Sequence, residues 1–551
     1  MTRRLKHWGW GYEDEQPAPV QLRDTAAFLA QRLGFGSAEP DSPVALEHCR
    51  LSAPRLQPPD HLAAICRADD YERALHCYGR SYRDVVRAFR GQFQHPPDVV
   101  AHPCNEAQLG AVLDWAISAG AAVIPFGGGT GVVAGVEAIV DERFAGVVTV
   151  DLKALDRVLE VDPVSMAARI QAGATGPGLE RQLAEHGLTL RHFPQSFEFS
   201  TLGGWIATRA GGHFATLYTH IDELVESVRA ITPAGVWESR RLPSSGAGVS
   251  PDRMLIGSEG TLGVITEAWV RVRPKPVWRS SRGVRFADFQ AGVAAVRALS
   301  QSGLHPSNCR LLNAEEAQLT GAGDGSAALL VLGFESARQQ TEPWLDLALE
   351  CCAEHGGAWD APAGGPQAAG GAVGSWREAF VRAPYLRDTF VAMGVLSETF
   401  ETAITWDRFE RFNASVLQAT RAAVQDACGG GIITCRLTHV YPDGAAPYYT
   451  VLAPARRGEE LRQWAQIKRA AADAILAGGG TITHHHAVGR DHRPWYDRQR
   501  PDPFAAALTA AKAAVDPTGA LNPGWRLLLA RLTAEVAPAA RSVLELLDEQ
   551  D

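Results

Sequence analysis

Three consecutive histidines stand in the stretch "THHHAVGR" at residues 483–490. Imidazole changes its charge close to neutral pH, so such a cluster could act as acid or base, bind a metal, or fill a wet loop. If the stretch is extended, the first and third rings face one way and the second faces the other. A zinc site lacks an obvious third ligand, although His439 and His492 are in the chain, and we predict no metal ligands.

A glycine-rich loop, "IPFGGGTGVVAG" at residues 124–135, follows a predicted strand. Glycine lets backbone N–H groups converge on an anion without interference from a Cβ atom, as in phosphate-binding loops. No Lys-Ser or Lys-Thr follows, so this is not a P-loop, and the spacing does not match the G-x-G-x-x-G dinucleotide fingerprint. By itself the loop could also be a tight turn.

The elements that must position these residues predict an α+β fold. Residues 1–94 form a predicted helical region, because "YERALHCYGRSYRDVVRAFRGQF" has a period near 3.6. Residues 95–276 alternate short strands such as "AAVIPF", "VVTVDL" and "AARIQAG" with helices. Residues 277–480 form a second α+β region, in which the low-complexity stretch 359–376 is predicted to be a mobile loop. Residues 481–551 carry the histidines and a last predicted helix.

Composition limits the class of protein. A chain of 551 residues is too long for one core and predicts two or three domains. The net charge of -9 and pI near 6.0 argue against nucleic acid as a partner. Nine cysteines without C-x-x-C spacing predict reduced thiols. We find no secretory signal, membrane span or peroxisomal address, and therefore expect a soluble cytoplasmic enzyme.

Three further segments share the Gly, Ser and Thr content of the glycine loop. They are "QSFEFSTLGGWIATRAGGHFATLYTHIDELV" (195–225), "GSEGTLGVITEAWVRVRP" (257–274) and "VDPTGALNPG" (515–524). With the glycine loop, they resemble the FAD domain of the vanillyl-alcohol oxidase and p-cresol methylhydroxylase (PCMH-type) flavoprotein superfamily. The resemblance implies a PCMH-type FAD-binding domain of two α+β subdomains, to which the C-terminal segment returns, and an α+β cap domain with an antiparallel sheet.

The resemblance also implies the residues that hold FAD. Pyrophosphate is expected at the glycine loop, and some superfamily members attach FAD covalently through a His or Cys there. This loop has neither residue, so we predict non-covalent FAD. The predicted cofactor-binding residues are Pro125, Phe126, Gly127, Gly128, Gly129, Thr130, Gly131, Gln195, Ser196, Phe197, Glu198, Phe199, Ser200, Thr201, Thr208, Arg209, Ala210, Gly211, Glu259, Gly260, Thr261, Leu262, Gly263, Val264 and Ile265.

Motifs along most of the chain resemble one branch of this superfamily, the alkyldihydroxyacetonephosphate synthases. They include "HWGWGYEDE", "SNCRLLN", "APYLRD", "SETFETAITWDRF", "TCRLTHVYPDGAAPYY" and "THHHAVGR". In related D-lactate and glycolate dehydrogenases the last motif typically reads like "GEHGIG". The resemblance implies an enzyme of ether lipid synthesis that exchanges the acyl chain of acyl-dihydroxyacetone phosphate for a long-chain alcohol, without net electron transfer.

Site residues follow from the matching motifs. Tyr448 matches the acid/base tyrosine of the family, and a phenol needs a nearby imidazole or cation to act near neutral pH. Arg387 matches a substrate-binding arginine, and Arg310 matches an arginine needed for activity. The histidines are interpreted as acid/base or substrate-contact groups, able to protonate or orient a leaving carboxylate. The predicted catalytic residues are Tyr448, His484, His485, His486 and Arg310.

The residues themselves leave alternatives open. Arg387 could pair with Asp388, Tyr448 could be a core hydroxyl with Tyr449 in its place, and the histidines could be structural. The family usually carries an apolar insertion where this chain has a short polar link, 315–326. That difference favours an alternative, an FAD-dependent D-2-hydroxy acid dehydrogenase or oxidase, in which a histidine takes the hydroxyl proton and an arginine holds the carboxylate.

The expected partner is a small-molecule or lipid substrate, and nucleic acid is excluded. Peripheral membrane contact is left open, although a chain of net charge -9 is not drawn to anionic lipid. A homodimer is left open as well. A third alternative, a non-catalytic flavin-binding protein, leaves the several polar candidates for one site unexplained.

Overall fold

The computed structural model describes residues 3–360 and 372–524. The predicted helical N-terminal region contains three helices: α1 Pro19–Leu33, α2 Asp70–Leu75 and α3 Tyr82–Phe89. Helix α3 begins at a capping box, in which the Ser81 side chain accepts the Asp84 N–H while the Asp84 carboxylate accepts the Ser81 N–H. Helix α1 is largely exposed, and among its side chains only those of Ala26 and Leu33 are fully buried.

The first sheet carries the glycine loop. Its strands are β1 Cys66–Arg67, β2 Val99–Ala101, β3 Ala122–Phe126 and β4 Val147–Asp151, in the order β1-β2-β4-β3. Strands β2, β4 and β3 are parallel, and their apolar runs are buried, as expected for a covered parallel sheet. Helix α4 Glu106–Ser118 follows β2. The glycine loop leaves the carboxyl end of β3, where open α/β sheets bind ligands.

The second sheet is antiparallel. Its strands are β5 Val158–Asp162, β6 Ala167–Gln171, β8 Val225–Thr232, β9 Gly235–Glu238 and β10 Val264–Arg271, in the order β5-β6-β10-β8-β9. A small ribbon pairs β7 Leu188–Thr189 with β11 Arg273–Pro274. The helices of this region are α5 Gly176–Ala184, α6 Leu202–Thr208 and α7 Pro251–Leu255.

The third sheet belongs to the cap and is also antiparallel. Its strands are β12 Trp278–Phe286, β13 Asn308–Leu312, β14 Ala328–Ser336, β15 Val395–Glu401, β16 Ile404–Thr405, β17 Ile432–Val440 and β18 Gly444–Pro454. Their order is β12-β14-β13-β17-β18-β15, with β16 paired to β18. The accompanying helices are α8 Phe289–Gln301, α9 Ala314–Leu319, α10 Glu342–Ala353, α11 Ala372–Met393, α12 Trp406–Cys428 and α13 Glu460–Ala477.

After α14 Arg493–Gln499 and α15 Asp502–Val515, the chain returns to the first sheet. The Val123 N–H of β3 donates to the Ala520 carbonyl, and the Asn522 N–H donates to the Val123 carbonyl, both at 2.8 Å. The Asn522 side chain donates to the Gly135 and Glu259 carbonyls at 3.1 and 2.8 Å. The segment 520–522 therefore completes the edge of the sheet beside the glycine loop.

The predicted α+β fold class is confirmed, including the two α+β parts below an antiparallel cap. The boundaries predicted after residues 94, 276 and 480 stay a prediction. Of the low-complexity stretch 359–376, residues 361–371 lie outside the described residues, and residues 372–376 already belong to α11. Within the described part of the chain, no helix is both long enough and apolar enough to cross a membrane.

Candidate active site

A cavity of about 390 Å³ lies between the first two sheets and the inner face of the cap sheet. Its volume is in the range of small-molecule sites. The glycine loop lines one part of it, and Tyr448, Arg310 and Arg387 line another. The structure thus brings the predicted cofactor loop and the predicted catalytic side chains to one space.

The glycine loop is shaped by positions that exclude a side chain. A Cβ atom on Gly128 would lie 2.0 Å from the Phe199 carbonyl oxygen, and Gly129 has a φ of +64°. Gly131 differs, because a Cβ atom there would have open space around it. The loop therefore packs closely on one side and presents bare backbone to the cavity on the other, as an anion-binding loop requires.

Most of the predicted cofactor residues line this cavity. The lining ones are Pro125, Phe126, Gly127, Gly128, Gly129, Thr130, Gly131, Gln195, Ser196, Ser200, Thr201, Thr208, Ala210, Gly211, Glu259, Gly260, Gly263 and Ile265. The others in the predicted runs point elsewhere: Leu262 and Val264 are buried in hydrophobic cores, and the Arg209 guanidinium pairs with a carboxylate. The residues outside the lining are Phe197, Glu198, Phe199, Arg209, Thr261, Leu262 and Val264.

Tyr448 lies on the cavity face of β18. Because side chains alternate along a strand, the neighbouring Tyr449 faces the core, where its hydroxyl donates to the Asn413 side-chain oxygen at 2.8 Å. The Arg436 guanidinium carbon is 3.9 Å from the centre of the Tyr448 ring, and Arg436 is also ion-paired with Glu316. The core-hydroxyl alternative therefore applies to Tyr449.

Arg310 comes from β13 and is buried. Its guanidinium donates to the His213 carbonyl at 2.9 Å and to the Asn308 side-chain oxygen at 3.3 Å. Burial, together with the neighbouring Arg436, lowers the pKa of Arg310 to about 9. The guanidinium remains a cation at neutral pH, in a cavity wall where a substrate anion would offset its desolvation.

One buried carboxylate holds the histidine loop. The backbone N–H groups of His484, His485 and His486 all donate to Glu401, as does the Thr483 hydroxyl. Burial alone would raise the pKa of Glu401, but the adjacent imidazoles and these hydrogen bonds hold it well below its usual value. Three successive N–H groups on one anion form a nest, and a nest requires a turning backbone.

This turn changes which rings face the site. The expectation for an extended stretch, with the first and third rings on one side, is wrong: His485 and His486 line the cavity, whereas His484 lies behind them. The His485 and His486 rings are 6.1 and 5.5 Å from the Tyr448 ring, between centres. Burial lowers the pKa of both imidazoles, so both rings are neutral at pH 7.

His439 of β17 joins this group. Its Nδ1 atom lies 2.9 Å from the Phe214 carbonyl, and ring nitrogens of His439, His484 and His485 lie within 4.8 Å of one another. The Nδ1 atoms of His484 and His485 are 2.9 Å apart, the distance of a hydrogen bond. Those nitrogens already have partners, and the absence of metal ligands stays a prediction.

Arg387 points from α11 into the cavity. It donates to the Arg80 carbonyl at 2.6 Å, and its Nε has no hydrogen-bond partner among the described residues. Asp388 pairs instead with Lys6 at 3.3 Å and accepts the Trp10 N–H at 3.0 Å. The alternative in which Arg387 is neutralised by Asp388 is therefore wrong, and Arg387 retains capacity for a substrate anion.

An apolar arm extends the cavity away from the glycine loop. Its wall comes from helices α1, α9 and α11 and from strand β18. The link at 315–326, predicted to be short and polar, includes most of α9 and contributes Leu319. Helix α1 thus helps to enclose an apolar space although the chain lacks the family's apolar insertion. The residues of the apolar arm are Leu29, Leu33, Leu319, Leu386, Phe390 and Leu452.

Sequence reasoning missed two residues of the site, Arg436 and Glu401. Arg436 is the cross-strand partner of Tyr448 on β17, and Glu401 is its partner on β15. A signal for Arg436 was present, since Arg436 and Thr438 alternate along a predicted strand and both line the cavity. Glu401 gave no local signal, because it lies more than 80 residues before the loop that it holds.

The cavity fits a flavin nucleotide, since a loop of bare glycine backbone faces the space in which a pyrophosphate would lie. Comparison with protein families gives the same class. Residues 97–239 match the family "FAD binding domain", and residues 275–525 match "FAD linked oxidases, C-terminal domain". The fold and site define an FAD-dependent enzyme of the PCMH type.

Comparison with individual proteins identifies the family within this class. Alkyldihydroxyacetonephosphate synthase of Trypanosoma brucei brucei is 30% identical over 485 residues, covering 83% of this chain and 78% of that protein. A solved structure of an alkyldihydroxyacetonephosphate synthase is 25% identical and superimposes with a TM-score of 0.77 over 94% of this chain and 98% of its own. The chain belongs to the alkyldihydroxyacetonephosphate synthase family, and FAD is its cofactor.

The hydroxy-acid alternative has weaker support. A glycolate oxidase subunit of Bacillus subtilis is 25% identical over 79% of this chain and 89% of its own length. The motif "THHHAVGR" and the apolar arm both favour the synthase branch.

Proposed function

We propose that this enzyme replaces the acyl group of an acyl-dihydroxyacetone phosphate with a long-chain alcohol. The C1–O bond to the fatty carboxylate breaks, a C1–O bond to the alcohol forms, and one proton is released because the product acid is ionised. No electrons are gained or lost overall. The observation that carries this proposal is the convergence, in one cavity, of the glycine loop, Tyr448, the arginines and the apolar arm.

Each catalytic side chain has a proposed role that follows from its chemistry. Tyr448, beside the Arg436 cation, removes and returns the proton at C1. His485 and His486 are neutral and carry N–H donors that hydrogen-bond to the leaving carboxylate. The cavity residues that would hold FAD would place it beside these side chains, where it would supply an electrophilic centre.

Arg387 and Arg310 are the proposed binding residues for the substrate phosphate. Arg387 has an unpartnered Nε in the cavity wall and is suited to the substrate phosphate, as a guanidinium fork matches phosphate oxygens. Arg310 lines the same cavity and places a second positive charge there. Two cations around a dianionic phosphate would orient the ketone between Tyr448 and the flavin site.

The apolar arm is the proposed site of the acyl and alkyl chains. Its leucines and Phe390 would bury methylene groups, each contributing about 0.8 kcal/mol. On the outer face of α1, Val20 and Phe28 are 59% and 60% exposed. We propose that this face meets a lipid surface from which the substrate enters. Vesicle flotation would test that contact, and analytical ultracentrifugation would decide whether the chain forms the homodimer that the sequence leaves open.

The cofactor and location are proposed in finer detail as well. No His or Cys stands in residues 127–131, which supports non-covalent FAD, and heat or acid precipitation should release it into the supernatant. All nine cysteines are free thiols, which supports the cytoplasm as the location.

A product assay tests the function. FAD-loaded protein is incubated with palmitoyl-dihydroxyacetone phosphate and perdeuterated hexadecanol, and the lipids are analysed by mass spectrometry. We expect a deuterated alkyl ether together with free palmitate in equal amounts. Absence of the ether, combined with bleaching of the flavin by a D-2-hydroxy acid without oxygen, would contradict the synthase and support the dehydrogenase.

A further inference from the structure

A row of three imidazoles leads from the cavity wall toward solvent. His485 lines the cavity, and its Nδ1 lies 2.9 Å from Nδ1 of His484. The Nε2 atom of His484 lies 3.1 Å from Nε2 of His220. His484 and His220 do not line the cavity, and the His220 side chain is 14% exposed. We call these three residues the histidine row.

The rings of the histidine row have the protonation state that proton transfer needs. Burial lowers the pKa of each of them, so each ring carries one N–H and one lone pair at neutral pH. One set of tautomers makes the row continuous. His485 Nδ1–H donates to His484 Nδ1, and His484 Nε2–H donates to His220 Nε2.

Charged groups surround the outer end of the row. His220 Nδ1 lies 3.9 Å from the Asp222 carboxylate, and among the described residues neither that nitrogen nor the facing carboxylate oxygen has a hydrogen-bond partner. Asp222 is ion-paired with Arg209 and Arg253, whose side chains are more than half exposed. From the cavity side, His485 lowers the pKa of His220 and Glu401 raises it. His220 Nδ1 is itself buried, but the exposed part of the His220 side chain and the Asp222–Arg253 ion pair bring the outer end of the row close to the protein surface.

We propose that the histidine row carries the reaction proton between the cavity and solvent, with His220 as the exit residue. The inference rests on the proposed function, because replacing an acyl ester by an ether releases one proton in the cavity. A proton arriving at His485 Nε2 forms one N–H bond there, and the Nδ1–H bond of the same ring breaks toward His484. The same exchange repeats at His484 and His220, so each ring returns to neutrality.

Tyr441 belongs to the surroundings of the row. Its hydroxyl lies 2.6 Å from His484 Nε2 and 3.0 Å from the Thr219 hydroxyl. These contacts fix the His484 ring next to His485. Tyr441 is a positioning residue for the row.

The test replaces His220 by asparagine, whose amide still hydrogen-bonds to His484 but does not accept and release a proton. In dilute buffer we expect kcat of His220→Asn to fall roughly tenfold or more, with KM and the flavin spectrum unchanged. Added imidazole should return kcat toward that of the wild type, because a small diffusing base takes over the exit step. His355→Asn, in the turn just after α10, is the matched control and should respond to neither change.

Three outcomes would overturn the proposal. They are wild-type kcat for His220→Asn in dilute buffer, a lowered kcat that imidazole does not restore, and a stoichiometric metal ion in the purified protein. A metal ion would occupy ring nitrogens that the row uses. If the wild type forms no ether, the proposed function fails separately. The same comparison is then made on flavin bleaching by a D-2-hydroxy acid, which also releases a proton.

Discussion

Tyr448 and Tyr449 are adjacent in sequence, but Tyr448 lines the cavity and Tyr449 packs in the core. Replacing each of them by phenylalanine therefore tests which tyrosine is the acid/base group. Tyr448→Phe removes the phenol hydroxyl from the cavity wall, and we expect kcat to fall about 10²- to 10⁴-fold while FAD stays bound. Steady-state kinetics with the ether product as readout would measure the loss.

Tyr449→Phe is the matched control. Its hydroxyl bonds to Asn413 in the core, so its removal should lower the free energy of unfolding by about 1 kcal/mol and leave kcat near the wild-type value. Equal losses of kcat in both variants would contradict the assignment of Tyr448 as the acid/base group.

Gly131 offers a second residue-scale prediction. A Cβ atom there meets open space, so Gly131→Asp adds a carboxylate to the cavity without a clash. We expect the Kd for FAD to rise at least about tenfold, since the new charge repels the pyrophosphate. Gly110→Asp, at an uncrowded position of α4, should leave the Kd unchanged. Flavin fluorescence titration measures both, and unchanged affinity for Gly131→Asp would contradict the predicted pyrophosphate position.

At this scale the sequence identified residues whose chemistry is local. The glycine loop, Tyr448 and Arg387 were found because their motifs are contiguous, and the structure places all of them on one cavity. The directions of the imidazole rings in the histidine loop were not predictable, because they depend on a carboxylate that belongs to β15, far away in sequence. Glu401 sets the turn, and no pattern near residue 484 reveals it.

Helix α1 is the element whose role is most open to test. Leu33 faces the apolar arm, and Phe28 lies on the exposed side of the same helix. Leu33→Trp should fill part of the arm, so kcat/KM for a palmitoyl substrate should fall at least about tenfold while a butyryl substrate is little affected. Phe28→Trp is the control and should leave both rates unchanged. A uniform loss across chain lengths for Leu33→Trp would contradict the arm as chain site.

The helices and strands were easier to predict than the contacts between them. The strand and helix of "DWAISAGAAVIPF" follow from apolar runs, and α3 follows from its period and its Ser81 cap. The contact of α1 with α11 could not be predicted, because it joins segments some 350 residues apart through only a few side chains. For the same reason the short link at 315–326 favoured a hydroxy-acid substrate, although helix α1 supplies apolar wall that the link lacks.

For the whole molecule, buried neutral histidines predict how stability depends on pH. The lowered pKa values of His192, His220 and His492, about 3, 4 and 3, keep these rings neutral in the folded state. In the unfolded chain they take up protons below about pH 6.5. Stability is therefore full above that pH and lost as the pH falls, by up to about 1.4 kcal/mol per pH unit for each ring.

Thermal unfolding between pH 7.5 and 5.5 measures this dependence, and we expect Tm to be constant down to about pH 6.5 and to fall below that pH. Glu401 adds nothing to the slope in this window, because its lowered pKa keeps it ionised and its contribution is lost only below about pH 4.5. His492→Gln keeps a donor toward the Ala487 carbonyl and should flatten the slope. A Tm independent of pH would contradict neutral burial of these rings.

The return of residues 520–522 to β3 has a consequence for biosynthesis. Val123 sits directly before the glycine loop, yet its hydrogen-bond partners are made about 400 residues later, roughly 20–80 s at ribosomal speed. Until then the edge of the first sheet is open, and the Asn522 side chain is not there to join Gly135 to Glu259. Flavin loading therefore follows translation of the cap, and a premature stop codon before residue 520 would yield an apoprotein even with every glycine of the loop in place.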